Sequence, residues 1–391
     1  MTGGSPPPGK LASFATHPIA RLATVLFLLF IFLVGVNGLG DGFKSLGQGV
    51  LDSFFSATEN PFVALMVGVL ATTLVQSSSV TTSMIVALVA APDNPLPIAN
   101  AVPMIMGANI GTTVTNTVVS LAHMGRPEEF RRAFAVATCH DFFNFIAVAV
   151  LLPLELLTGY LQRTATALSV FLTELGGGGM DYNSPIKGAF KAMVAHIKAA
   201  ISFVTESHQF QAIALIVVSC ILIFVALMML VRVMRSAMQT RVESVVSNVL
   251  DRSALLAMLV GAIVTVMVQS SSITTSLLVP LAGAGVITLA RAFPITIGAN
   301  IGTTITALLA ALAVTGENAQ AGLIIALVHL GFNVSGTVLI YPWPRIRNIP
   351  LRAARWIADI AVESRKWALI YVIALFYALP ALFAVLDKLF K

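Results

Sequence analysis

The chain has 391 residues, of which 57% are hydrophobic and only 10% are charged, and its formal net charge is +6. A soluble domain would carry about 25% charged residues, so this composition excludes a soluble globular protein. It predicts an all-α polytopic membrane protein, because uncharged windows of about 20 residues are long enough to cross the hydrocarbon core of a bilayer. The basic residues flank these windows, as the positive-inside rule expects, so no nucleic-acid partner is predicted.

Residues 1–18 are rich in proline and glycine, a composition typical of a disordered N-terminus. The apolar segment that follows is longer than the apolar core of a signal peptide, and no A-x-A-like cleavage site comes after it. Residues 19–60 are therefore predicted to form a retained first transmembrane helix and a connecting segment.

Residues 75–83, VQSSSVTTS, place one amide and six hydroxyl groups in an apolar stretch, and the motif returns as VQSSSITTS at residues 268–276. Hydroxyls in membrane helices commonly bond to carbonyl oxygens one turn back and help helices pack. Here their number exceeds that need, and each motif sits in the middle of an apolar segment of about 30 residues, which suits a hairpin. Each motif is therefore predicted to form a re-entrant hairpin whose QSSS tip breaks the helix in a polar cavity.

A second repeated motif is GANIGTT, which follows each hairpin segment at residues 107–113 and 298–304. Two glycines bracket Asn109 or Asn300, which predicts a broken helix with unwound backbone close to a ligand. The threonine pair is predicted to open the next helix, whose N–H groups favour an anion. The alternative interpretation is a glycine-rich contact between helices.

A third motif completes each half, HDFFN at residues 140–144 and HLGFN at residues 329–333. Three motifs that occur twice in the same order predict two structural repeats, residues 61–153 and residues 253–344. Internal repeats in a membrane protein are typical of transporters that hold their substrate at the repeat interface.

Loop charges indicate that the two repeats have inverted topology. The loop after the first GANIGTT motif carries Arg126, Arg131 and Arg132, whereas the equivalent loop of the second repeat, TGENAQAG, has no basic residue. Short basic loops face the cytoplasm, so corresponding loops lie on opposite sides, and the N-terminus is predicted to be cytoplasmic. The other predicted segments are an extracytoplasmic loop with an amphipathic helix at 154–208, a linking transmembrane helix and cytoplasmic loop at 209–252, a cytoplasmic interfacial helix at 345–366 and a last transmembrane helix at 367–391.

Fixed positive charge is nearly absent from the two repeats. There is no Lys or Arg between Pro61 and Gly125, and only Arg291 between Ser253 and Trp343. A multiply charged anion would find many donors there, but its entry is costly unless cations enter with it. Hydroxyl, carbonyl and carboxamide oxygens are the ligands that a hard cation such as sodium prefers. The residues therefore predict co-transport of an oxyanion with cations.

The paired QSSS motifs, the paired GANIGTT motifs and the segment FRRAFAVATCHDFFNF resemble the type II sodium–phosphate cotransporters, from about Phe62 to Pro344 and in the last helix. This resemblance implies sodium-coupled symport of inorganic phosphate into the cell, electrogenic and by alternating access. It implies a multi-pass protein of the plasma membrane, which in a bacterium is the inner membrane.

The resemblance also implies that the two QSSS tips meet at the centre of the protein. The residues expected to bind phosphate are Gln76, Ser77, Ser78, Ser79, Asn109, Thr112, Gln269, Ser270, Ser271, Ser272, Asn300 and Thr303. The residues expected to bind sodium are Thr82, Ser83, Thr113, Asp141, Asn144, Thr275, Ser276, Thr304, Thr306 and Asn333.

Asp141 is an acid inside an apolar helix, where a charge is expensive and therefore indicates a function. By resemblance, an Asp at this place marks the electrogenic relatives and adds a sodium site. The second repeat has Leu330 at the equivalent position. This difference between the repeats is therefore expected to concern sodium coupling and not the shared scaffold. The alternative is that the carboxyl group pairs with a neighbouring polar group and only stabilises the fold.

Two other functions remain open at this level, a sodium- or proton-coupled transporter of another small oxyanion and an anion channel lined by hydroxyl groups. An enzyme is not expected, because a nucleophile needs a positioned base, whereas His140 and His329 recur at matched places that suit structural hydrogen bonds. No cofactor is expected, and sodium is the only metal ion. The predicted partners are inorganic phosphate, sodium ions and the lipid bilayer, and a homodimer is left open.

Overall fold

Helices form almost all of the chain that the computed structural model describes, which comprises residues 18–45, 58–92, 95–175, 185–249, 253–314 and 317–390. These described ranges contain turns but no strand, so the predicted all-α class is confirmed. The predicted disordered N-terminus lies outside the described residues except for Pro18, which begins the first helix.

The helices of the first half and the segment after it are α1 Pro18–Ser45, α2 Pro61–Val75, α3 Ser78–Val89, α4 Ile98–Thr112, α5 Val114–Ser120, α6 Pro127–Thr158, α7 Tyr160–Leu175 and α8 Pro185–Ser202. Those of the second half are α9 His208–Val249, α10 Ala254–Val268, α11 Ser271–Gly283, α12 Leu289–Ala313, α13 Ala319–Ile340, α14 Pro344–Glu363, α15 Arg365–Ile373 and α16 Leu379–Phe390. A π-helical turn, Ala374–Ala378, joins α15 to α16.

Six helices among the described residues are long and apolar enough to cross a membrane: Ala20–Gly42, Pro127–Thr158, His208–Leu230, Leu289–Leu312, Ala319–Ile340 and Arg365–Asp387. By contrast, α2, α3, α10 and α11 have only 12 to 15 residues each. A span needs about 20 residues, so each of these four helices is too short to cross alone. Two short helices joined by a turn, as in α2–α3 and α10–α11, have the lengths that a hairpin requires.

The turn between α2 and α3 is encoded by the residues of the motif itself. The side chain of Asn60 caps the start of α2 by accepting the N–H of Phe62. The helix ends at Gln76, which has a left-handed backbone with φ of 55°. Ser77 is extended, and its hydroxyl accepts the N–H of Val80 at the start of α3. One residue therefore ends a helix and the next one begins another.

The second hairpin repeats this turn in detail. Gln269 is left-handed with φ of 55°, and the Ser270 hydroxyl accepts the N–H of Ile273. Gln76 and Gln269 are the only residues other than glycine with positive φ in the described chain. An L side chain is unfavourable in this conformation, so both tips are held in place by surrounding contacts.

The GANIGTT motif is helical in both repeats, in contrast to the predicted unwound backbone. In the first repeat, α4 ends at Thr112 and α5 begins at Val114, so the chain is interrupted only at Thr113. In the second repeat the motif lies inside the continuous helix α12, so the predicted helix break is wrong there. Thr303 and Thr304 lie within this helix and do not begin a new one. A continuous helix keeps every backbone hydrogen bond in an apolar interior.

The glycines of this motif serve close packing. A Cβ atom on Gly107 would overlap the carbonyl oxygen of Leu65 in α2, and one on Gly298 would overlap that of Met258 in α10. Glycine therefore lets each GANIGTT helix cross the first arm of its own hairpin with the two backbones in contact. The alternative interpretation of the motif, a glycine-rich contact between helices, is therefore correct for both copies.

The second arm of each hairpin packs against the opposite repeat. Helix α3 contacts α12 and α13, and α11 contacts α5 and α6. The ends of these arms are held in the same crossed way: Asn318 donates to the carbonyl oxygen of Ala91 at 2.6 Å, and Arg132 donates to that of Gly283 at 2.6 Å. The two repeats are therefore interlocked through their hairpins.

The helices outside the repeats pack around this centre. Helix α1 lies along α9, α14 lies against α6, and the final helix contacts α2. The predicted loop at 154–208 holds two described helices, α7 and α8, where one was predicted. Helix α7 starts because Gly159 turns the chain with φ of 64° and the buried Glu155 carboxylate accepts the N–H of Gln162 at 3.2 Å.

Candidate functional site

The two QSSS tips line one cavity of about 220 Å³. Gln76 and Ser77 reach it from the first hairpin, and Gln269 and Ser270 reach it from the second. Its other walls are Val75, Val80, Phe224, Leu227 and Met228. The last three residues belong to the linking helix α9, whose apolar span His208–Leu230 contains no signal of a role at the site. None of the lining side chains is ionisable.

Each tip glutamine accepts a hydrogen bond from a threonine that closely follows the GANIGTT motif of its own repeat. The Gln76 carboxamide oxygen accepts the Thr115 hydroxyl at 3.0 Å, and that of Gln269 accepts Thr306 at 2.8 Å. The amide groups donate to carbonyl oxygens of the preceding helix, that of Gln269 to Val266 at 2.7 Å. Thr115 is missing from the predicted site, although the internal alignment that places it opposite Thr306 could have identified it.

Helices α3 and α11 both begin at this cavity. Their first turns present backbone N–H groups and the positive ends of two helix dipoles, which favour an anion. Ser78 and Ser271 are the first residues of these helices and are buried. Behind them, Ser79 is buried and Ser272 is half-buried. Four of the predicted phosphate-binding residues thus line the cavity, and four more form the helix turns next to it.

The predicted phosphate ligand Asn300 is instead bound by the other repeat. Its carboxamide oxygen accepts the Nε2–H of His140 at 2.9 Å, and its amide donates to the Asn144 side-chain oxygen at 2.9 Å. The amide oxygen can only accept, so the proton lies on Nε2 of the histidine. All three side chains are buried.

Asn109 contacts the corresponding histidine and asparagine of the second repeat. Its side-chain oxygen accepts the Nε2–H of His329 at 3.3 Å and the Asn333 amide at 3.2 Å. The Asn144 amide adds a bond to the backbone oxygen of Asn109 at 2.9 Å. In each case the HxxxN motif of one repeat binds the asparagine of the other, so these residues form a crossed amide network.

Several of the predicted threonine and serine ligands bond to carbonyl oxygens one turn back. This geometry is usual for hydroxyls in apolar helices. It applies to Thr112, Thr303, Thr304, Thr82 and Ser83. Their hydroxyl oxygens still keep a lone pair that can face a cation.

Thr275 and Ser276 contact the other repeat. Their hydroxyls both donate to the Asn116 side-chain oxygen, at 2.9 and 3.0 Å. Across the pseudo-symmetric interface, the Ser79 hydroxyl lies 3.5 Å from that of Thr306. Two predicted sodium ligands of the second hairpin, Thr275 and Ser276, therefore lie at the repeat interface.

Asp141 is fully buried in α6 beside the GANIGTT segment. Its Oδ2 atom accepts the hydroxyl of Tyr371 at 2.7 Å, and its Oδ1 atom has no hydrogen-bond partner. The hydroxyls of Thr113 and Thr117 also face this carboxyl group. The structure thus brings together two predicted sodium ligands, Asp141 and Thr113.

Tyr371 lies outside the repeats, just before the π-helical turn of the final helix, and no repeated motif marks it. Such turns are frequent at functional sites. Oxygen atoms surround the carboxylate, which fits a sodium ion and not a softer metal. Among the described residues, no group of three or more His, Cys, Asp and Glu is placed to hold a metal ion.

The chain is similar in sequence to a known family and to several known proteins. The family model described as Na+/Pi-cotransporter matches residues 31–176 and 221–341. The chain is 34% identical to the human sodium-dependent phosphate transport protein 2B, over 95% of this chain and 66% of that protein. It is 35% identical to the mouse sodium-dependent phosphate transport protein 2A, over 95% of this chain and 68% of that one. The chain thus covers slightly less than two thirds of the human relative. No solved structure matches the chain.

The crossed amide network predicts a pairwise coupling that stability measurements can detect. We expect His140→Ala and Asn300→Ala to be non-additive in the free energy of unfolding by about 0.5–3 kcal/mol, because they remove the same bond. The control pairs Asn300→Ala with His196→Ala, in which the histidine is exposed on α8. Denaturant unfolding in detergent measures both cycles, and equal coupling in the two cycles would refute the network.

Proposed function

The chain belongs to the Na+/Pi-cotransporter family, and we propose that it is a secondary active transporter that carries inorganic phosphate into the cell together with sodium. The observation that carries this proposal is the cavity at which both hairpin tips meet. Two related half-sites that converge on one small cavity, from two interlocked repeats, suit a transported ion. The relatives are named as transport proteins, not as enzymes.

Phosphate fits the donors at the tips. The N-termini of α3 and α11, with the hydroxyls of Ser77 and Ser270 and the amides of Gln76 and Gln269, supply partial positive charge without a fixed cation. A doubly charged anion would remain uncompensated in this setting. Sodium ions that enter with it offset this charge, which is the physical reason for coupling.

For sodium we propose one site at Asp141 and others at the repeat interface. The Oδ1 atom of Asp141, which has no hydrogen-bond partner, and the hydroxyl of Thr113 would coordinate the first ion. The hydroxyls near the hairpin arms would coordinate the others, with Thr82, Ser83, Thr304 and Thr306 at one end of the interface and Thr275 and Ser276 at the other. The asparagines of the crossed amide network would position these elements.

We further propose that the repeats are inverted in the plasma membrane, a bacterial inner membrane, with a cytoplasmic N-terminus and hairpins that enter from opposite sides. Two ion pairs support this arrangement, because each joins segments assigned to the same side. Lys198 of α8 binds Asp41 of α1 at 2.6 Å on the outer side, and Arg131 binds Asp359 at 2.6 Å on the inner side. Alternating access would then move the interlocked hairpins against the linking helix.

Cysteine labelling tests this topology. In a variant that lacks Cys139 and Cys220, Arg126→Cys should react with a membrane-impermeant maleimide only from the cytoplasmic side. Glu317→Cys should react only from the outside, because the equivalent loops of inverted repeats face opposite ways. Reaction of both cysteines from the same side would contradict the proposal.

Phosphate uptake into proteoliposomes tests the function. Uptake should need external sodium, and potassium should not replace it, because the cavity has no fixed cation. Gln76→Gly and Gln269→Gly keep the left-handed turn but remove the carboxamide, so each should lower uptake about ten-fold or more. Leu74→Ala, at an exposed neighbour of the tip, is the matched control and should transport normally. Equal uptake in potassium, or unimpaired glycine variants, would exclude the proposed site.

Current measurements test the role of Asp141. Asp141→Gly should still transport phosphate, but without net charge movement, because one fewer sodium accompanies each divalent phosphate. Tyr371→Phe keeps the carboxylate and removes only its hydrogen-bond donor, so current should stay in proportion to uptake. An Asp141→Gly protein that also carries current in proportion to uptake would rule out coupling through this carboxylate.

A further inference from the structure

The amphipathic helix α14 carries the marks of a membrane interface. The chain has three tryptophans in all. Trp343 precedes α14, Trp356 lies within it and Trp367 follows it, and their side chains are 61%, 62% and 52% exposed. Exposed tryptophans concentrate at the level of lipid headgroups. Helix α14 therefore lies at that level, on the side of the protein that the basic loops assign to the cytoplasm.

A basic cavity of about 400 Å³ opens beside this helix. It lies between α14, the start of α6 and the turn between α11 and α12. Its charged lining residues are Arg131, Arg132, Arg355 and Glu128. Asp359 pairs with Arg131 at its edge. Three arginines against the carboxylates of Glu128 and Asp359 leave one excess positive charge at the cavity.

The arginines keep donors for a ligand. A guanidinium has five N–H groups. Arg132 uses its Nε and Nη2 groups on the carbonyl oxygen of Gly283, at 3.1 and 2.6 Å. The Arg355 side chain is exposed on the same helix as Trp356, toward the cavity. The remaining walls include apolar residues such as Ile287 and Leu289.

We propose that this cavity binds the phosphate group of an anionic phospholipid from the inner leaflet. Guanidinium groups match phosphate oxygens in geometry and charge, and basic pockets between membrane helices on the cytoplasmic side bind such headgroups. The apolar walls and the neighbouring Trp356 favour a lipid over free inorganic phosphate, which shares the headgroup chemistry. The cavity is separate from the one at the hairpin tips.

The position of Arg132 connects this lipid to the second hairpin. The same guanidinium lines the cavity and holds the carbonyl end of α11. A bound headgroup therefore adds a second ligand to the arginine that anchors this hairpin. Lipid bound here would restrain the end of the arm that packs against the first repeat.

Native mass spectrometry of the purified full-length protein tests the site. With phosphatidylglycerol added, Arg355→Gln should retain about five-fold less lipid than the parent protein, since each interfacial arginine adds a modest attraction. Arg352→Gln is the matched control, because Arg352 is exposed on the same helix but does not line the cavity, and it should retain lipid normally. Phosphatidylcholine should be retained equally by all three proteins.

Two results would overturn the proposal. One is equal retention of phosphatidylglycerol by Arg355→Gln and Arg352→Gln. The other is displacement of the lipid by millimolar inorganic phosphate, which would show that the cavity takes free phosphate. Lipid retention is measured without any transport step. A negative result would therefore contradict the lipid site alone, and the transport proposal would still be tested by phosphate uptake.

Discussion

The crossed amide network holds the two repeats in one arrangement. Buried amide groups without a partner each cost about 1–3 kcal/mol, and the side chains of Asn109 and Asn300 are both buried. Their hydrogen-bond partners are supplied by the HxxxN motif of the opposite repeat. Asn144 contacts both asparagines. Separation of the repeats would leave several of these groups unpaired, so the network sets where each hairpin lies.

The hairpins depend on this arrangement for their own geometry. Each tip keeps a glutamine in a left-handed conformation that L side chains disfavour. The tip is stabilised by hydrogen bonds to Thr115 and Thr306, and by the close crossing that Gly107 and Gly298 allow. A tip fixed from two sides presents its helix N-terminus in a constant direction. The cavity can therefore be lined by dipoles and amides without any fixed charge.

Charged side chains lie outside the proposed transport path, with Asp141 as the exception. Arg131 and Arg132 lie on the proposed cytoplasmic side, where they bind Asp359, the carbonyl oxygen of Gly283 and, as we propose, lipid. Asp141 is an acidic group that the structure buries next to a GANIGTT segment, and its repeat counterpart is Leu330. The scaffold is thus nearly symmetric, while the proposed coupling is not. Tyr371, from outside both repeats, adds to this asymmetry.

The sequence by itself determined the helical class, the repeats, the helix breaks at Gln76 and Gln269, and the unusual acid at Asp141, because each follows from local composition or self-similarity. Only the tertiary structure decided what glycine does in GANIGTT, since the residue permits either an unwound backbone or a close helix crossing. The tertiary structure also decided that His140 binds Asn300 and that residues of α9 line the cavity. These contacts join residues far apart in the chain, and local pattern carries no information about such partners.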